Sequence, residues 1–148
     1  MLTDQQRRVR KAIFDSVIEK GDFPSLSELS RHLDQDETHL RSTLLELAGQ
    51  HEVVLDERGE LSMVMPFSAS KTPHYVNIEE RSWWANCAWD ALGITAAMKQ
   101  DGEIQTECPL TGEVLTLRSG PGGLDPRGVG WVHFVVPAAR WWHDIHFT

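Results

Sequence analysis

The sequence predicts an α+β protein, and two observations carry that prediction. The first 65 residues alternate helical periodicity with capping signals three times and then change to two short apolar runs around a turn. The remainder reads as one long helix followed by short β-type runs separated by glycine and proline. The expected division is a helical unit over 1–65, a connection over 66–78, where Pro66, Ser68, Ser70 and Pro73 gather, and an α+β unit over 79–148.

Each element has a local reason. Thr3 with Gln6 forms a capping box, and Val9, Ile13, Phe14, Val17 and Ile18 then recur at helical spacing up to Gly21. Ser25 with Glu28 opens a second helix through Leu26, Leu29 and Leu33. Asp34 or Asp36 caps a third, with Leu40, Leu44, Leu45 and Leu47 inward and Gly49 near its end. Val53–Leu55 and Leu61–Met65 flank the turn Asp56-Glu57-Arg58-Gly59 and read as a hairpin. Three helices and a hairpin are the order of a winged helix. Beyond the connection, Asn77 is a candidate cap for a helix from about Glu79 to Met98. Strands are expected at Glu103–Glu107, Val114–Arg118, Trp131–Val136 and Asp144–Thr148. Ser119-Gly120-Pro121-Gly122-Gly123 lacks the lysine and following helix of a phosphate-binding loop and reads as a flexible connection.

Composition narrows the function. The chain carries 41% hydrophobic and 24% charged residues, which predicts a globular body and not a disordered one. Its formal charge is -8, which opposes long-range attraction to phosphate backbones. Within 1–65, eight Lys/Arg stand against thirteen Asp/Glu, a net of −5, and the only basic cluster, Arg7, Arg8, Arg10 and Lys11, lies on the first helix. A groove-reading third helix needs cations of its own, so nucleic acid is not the expected partner. No apolar run reaches the length of a membrane span, and a cytoplasmic location is expected. In that compartment Cys87 and Cys108 are expected as free thiols. All six tryptophans fall between Trp83 and Trp142, and two readings stand: an aromatic core, or an indole-lined pocket.

The stretch richest in chemistry is Trp83-Trp84-Ala85-Asn86-Cys87-Ala88-Trp89-Asp90-Ala91-Leu92-Gly93-Ile94. On a helix Cys87 and Asp90 share a face and can act on one small ligand, with Trp83 and Ile94 extending that face. A carboxyl in such apolar surroundings has its pKa raised and becomes a proton donor near neutrality. The plainer reading is a small core cysteine beside an aspartate bonded to backbone amides.

Several blocks together resemble the organomercurial (alkylmercury) lyases. They are Asp56-Glu57-Arg58-Gly59, Tyr75-Val76-Asn77-Ile78-Glu79-Glu80-Arg81, Cys87-Ala88-Trp89-Asp90, Cys108-Pro109-Leu110-Thr111-Gly112, Asp125-Pro126-Arg127-Gly128 and Asp144-Ile145-His146-Phe147. The resemblance implies an organomercurial, or another soft electrophile, as the small-molecule partner. It makes Cys87 the metal-capturing thiol and Asp90 the acid that protonates the departing carbon. No cofactor is implied, mercury being substrate or product. Thiolate is the ligand that a soft ion selects. Cys108 matches a cysteine that looks structural. Trp83, Trp84, Trp142, His143 and His146 are the expected pocket.

The departure from the family lies near the C-terminus. Trp142, with His143 beside it, stands where the resemblance expects a second catalytic cysteine. Two outcomes are open: binding of an organometal without cleavage, or recruitment of a small thiol as the missing ligand. A non-catalytic metal or ligand sensor and a winged-helix regulator are the alternative functions. His143 and His146, an odd number apart, are expected on opposite faces of the last strand. The end at Thr148 reads either as that of a minimal relative or as a frame cut at a recoded selenocysteine codon, which sequencing of the gene past Thr148 distinguishes. Oligomeric state is not legible.

Overall fold

The structure, a computed structural model, describes residues 1–128 and 130–146. The chain forms two compact units, Met1–Ser70 and Lys71–Thr148.

The first unit opens with α1 (Asp4–Lys20), α2 (Leu26–Leu33) and α3 (Glu37–Gly49). Both capping boxes form: the Thr3 and Ser25 side chains accept from Gln6 N–H and Glu28 N–H, while the Gln6 and Glu28 side chains accept from the cap backbones. Asp36 caps α3 by accepting from His39 N–H. Val9, Ile13, Val17, Leu29, Leu40, Leu44 and Leu47 form the core between the three helices, while Leu45, expected inward, is 60% exposed. Strands β1 (Val54–Leu55) and β2 (Leu61–Val64) pair antiparallel around a turn in which the Asp56 carboxylate accepts from Arg58 and Glu60 N–H. A third strand, β3 (Phe67–Ser68), pairs with β2 inside the stretch expected as a connection.

The second unit is an antiparallel sheet with one helix against a face. Its strands are β4 (Tyr75–Ile78), β5 (Arg81–Ala85), β6 (Gly102–Glu107), β7 (Val114–Gly120) and β8 (Gly123–Asp125), side by side in the order β5-β4-β6-β7-β8. Helix α4 (Ala88–Met98) contacts β4, β5, β6 and β7. Alternate residues Val76, Ile78, Trp83, Ala85, Ile104, Thr106 and Leu117 are buried, as are Ala91, Ile94 and Thr95 of α4. Gly102 is required for the close approach: a Cβ there would lie 2.7 Å from Ile78 Cγ1 and 2.9 Å from Thr95 Cγ2.

Several expectations are corrected. The helix expected from Glu79 is a strand up to Ala85, and Asn77, expected as its cap, is an exposed residue of β4. Glu79, at positive φ, turns the chain so that Ile78 pairs with Arg81 and Tyr75 with Trp84. Aromatic residues suit a pleated surface, and the hairpin takes Trp83 and Trp84 into the sheet. The glycine-rich loop is a tight hairpin in which Gly120 pairs with Gly123, at φ 100. Residues 131–136 form no strand; Trp131, His133, Phe134 and Val135 are exposed there. Of the expected last strand, Asp144–His146 is a bend and turn following a 3-10 helix at Ala138–His143. Phe147 and Thr148 lie outside the described residues. The apolar alternation of both segments finds no neighbouring strand to pair with among the described residues.

Candidate functional site

The strand-to-helix turn after β5 places Cys87 and Asp90 together. Cys87, in extended backbone conformation, is the N-cap of α4, and the Asp90 N–H donates to its Sγ at 3.5 Å. The sulfur therefore takes the position usually held by a serine or aspartate oxygen. Asp90 lies in the first turn, where a helix favours negative charge. Both expected residues are thus neighbours, with Cys87 as the cap of the helix and not as a residue one turn earlier within it.

The turn is fixed from the sheet side. The Ala85 N–H donates to the His74 carbonyl at 2.9 Å, and the Thr72 hydroxyl donates to the Ala85 carbonyl at 2.6 Å. His74 sets its Nδ1 2.7 Å from the Thr106 hydroxyl, and burial holds its pKa down against the pull of Glu107. Between Ala85 and Cys87 sits Asn86, whose Nδ2 and Oδ1 are buried without a hydrogen-bond partner among the described residues.

Electrostatics follow from burial. Cys87 is half-buried, and its thiol pKa is pushed up first by loss of water, with Asp90 adding repulsion; the N–H groups of Asp90 and Trp89 pull the other way. Burial likewise raises the Asp90 carboxyl. The Asn86 amide and the Cys87 thiol hold that rise back, the amide without reaching hydrogen-bond geometry. A carboxyl whose protonated form is favoured by burial, beside a thiol, is placed to deliver a proton to a group bound at sulfur.

The tryptophans divide. Trp83 is 3% exposed on the α4 face, with the Arg81 guanidinium 5.7 Å from its ring. Trp84, next in the strand, points to the other face and packs on Tyr75 with ring centroids 4.6 Å apart. Trp83 and Trp84 therefore cannot both wall one pocket. Trp142 is half-buried in the 3-10 helix; His143 at its end and His146 beyond it are exposed, on no strand. The aromatic that sequence reasoning passed over is Trp89, which meets Phe134 at 6.2 Å, and Phe134 meets Trp141 at 5.1 Å. This chain of rings brings the C-terminal segment to the start of α4. His74, Thr72 and Asn86 were also not singled out; the alternation from His74 to Ile78 was the available signal.

Cys108 lies on the β6–β7 turn, where its N–H donates to the Glu113 carbonyl. The Thr111 hydroxyl, then the N–H groups of Thr111 and Leu110, hold its thiol pKa below the usual range. Cys87 and Cys108 are both free, and each follows by three residues a pairing partner of Tyr75, Trp84 on β5 and Gln105 on β6. Both thiols leave the same end of the sheet, from strands about 10 Å apart. Among the described residues no three His, Cys, Asp or Glu side chains gather as a metal site. No helix among them is long and apolar enough to cross a membrane. A cleft of about 710 Å³ lined by Asp101, Arg118, Asp125 and Arg127 lies beyond the other end of α4, apart from Cys87.

Comparison with known proteins agrees with this layout. No curated protein sequence matches the chain significantly. A solved structure, the mercury-bound form of MerB2, is similar in fold, with a TM-score of 0.67 at 22% sequence identity. The match covers 83% of this chain and 59% of that one, so the chain spans a little under three-fifths of its structural relative. The family model for MerB, alkylmercury lyase, matches residues 67–148, which include β3, the whole β4–β8 sheet, Cys87, Asp90 and Cys108. With more than half of its length in that match, the chain belongs to the alkylmercury lyase family.

Proposed function

We propose that the chain captures an organomercurial at Cys87 and protonates the mercury-bound carbon from Asp90. The observation that carries this reading is the Cys87 cap: the sulfur and the acid are neighbours, and the acid's pKa is raised by burial. Ligation to mercury displaces the thiol proton, so a raised thiol pKa does not prevent capture by so soft an ion. Electron donation from sulfur makes the carbon basic, and a neutral carboxyl within reach can deliver the proton. A small-molecule thiol supplies the second sulfur that the chain lacks at Trp142 and His143. We read the N-terminal unit as a winged-helix-like structural module, since its net acidity disfavours nucleic acid, and the cytoplasm as the site of action.

The test is hydrocarbon release from an aryl- or alkylmercury compound in excess thiol. Release by the wild type that is lost in Cys87→Ser and Asp90→Ala supports the lyase. The absence of the second cysteine favours one competing reading, a binding module or sensor. Stoichiometric binding without release selects that reading, and absence of binding removes both.

A further inference from the structure

We propose that Asn86 is a positioning residue for proton delivery, its side-chain amide held to donate an N–H to the carboxylate that forms when Asp90 gives up its proton. The inference rests on the reading of Cys87 and Asp90 above. Its starting point is that Nδ2 and Oδ1 of Asn86 are both buried and unpartnered among the described residues, beside the two residues that carry the chemistry. A buried amide without partners is costly, and folded chains rarely keep one without a reason.

The backbone that carries this side chain is held on both sides. On one side Ala85 is tied through both backbone groups, to His74 and to the Thr72 hydroxyl. On the other, the Cys87 carbonyl accepts from Ala91 N–H and begins the ladder of α4. Asn86 is thus fixed between a strand end and a helix cap.

The reaction supplies the partner that the resting site lacks. With R–Hg bound to Cys87 Sγ, the carbon–mercury bond breaks and its electron pair takes the proton of the Asp90 carboxyl to form R–H. Mercury stays as Hg(II) on the Cys87 sulfur, joined by the thiolate of a small thiol. Asp90 is left as a carboxylate in half-buried surroundings. An amide N–H already beside it strengthens its hold as that charge develops, so it favours the transition state over the ground state.

The experiment compares the wild-type chain with Asn86→Leu, using a phenylmercury salt and excess small thiol. Three quantities are read: the phenylmercury adduct, counted by intact mass and located at Cys87 by peptide mass, benzene release, and the thermal midpoint. The variant is expected to form the adduct at wild-type stoichiometry, to release benzene about 100-fold more slowly, and to melt at the same or a higher temperature. Unchanged release overturns the proposal. A lowered midpoint with adduct and release falling together overturns it as well, since that is the result of a structural role. A wild-type chain that forms the adduct and never releases benzene overturns the lyase reading, and this inference with it, without reference to the variant.

Discussion

The backbone N–H of Asp90 points at the sulfur of Cys87, 3.5 Å away. That one contact closes the first turn of α4 and holds the thiol against the acid. Replacing the Cys87 side chain therefore alters the cap as well as the sulfur, whereas replacing the Asp90 side chain leaves this backbone donor in place.

Asp90→Asn should stabilise the fold at neutral pH. Burial raises the Asp90 carboxyl above its ordinary value, so the folded chain holds this proton more tightly than the unfolded chain. Stability from this group is lost as pH rises from the ordinary carboxylate range through the raised value. Urea unfolding at several pH values should show the variant's advantage growing across that window and constant below it.

The two thiols should differ in reactivity. Cys108 is held low by Thr111 and turn amides, whereas burial raises Cys87. Alkylation by iodoacetamide near pH 7.5, followed by peptide mass spectrometry, should label Cys108 first. Thr111→Val should slow that labelling, because it removes the largest of the lowering contacts.

Mild oxidation should not join the two cysteines within one chain. They leave strands about 10 Å apart, beyond the span a disulfide bridges without backbone movement. Non-reducing mass analysis should find no intrachain loss of two hydrogens.

Gly102→Ala should destabilise the second unit by about 1–3 kcal/mol through overpacking. The added methyl meets Ile78 and Thr95 at less than 3 Å, and both side chains are fully buried. Thermal unfolding measures it.

The helical unit was legible because its signals are local. Thr3 with Gln6 and Ser25 with Glu28 cap their helices in the manner read from spacing. The region from 79 to 90 was not legible in the same way: Trp83 to Ala91 is nearly all apolar or small, and such a run has no period to separate strand from helix. What decided it was pairing with Tyr75–Ile78, a partner outside the window. Cys87 and Asp90 still came out as neighbours, because an N-cap and its third following residue approach as closely as two residues one turn apart. Trp83 and Trp84 were separated by the change, since a strand sends adjacent side chains to opposite faces. The family blocks supplied what periodicity could not, a candidate site.

In the proposed reaction one phenylmercury group binds at Cys87 and is cleaved there by the proton of Asp90. Intact-mass and peptide-mass analysis of the chain after one equivalent of a phenylmercury salt, with time in excess small thiol, tests it most directly. The account predicts an adduct on Cys87 that decays with release of benzene in the wild type and persists in Asp90→Asn. An adduct carried on Cys108 alone, or one that decays equally fast in both proteins, contradicts it.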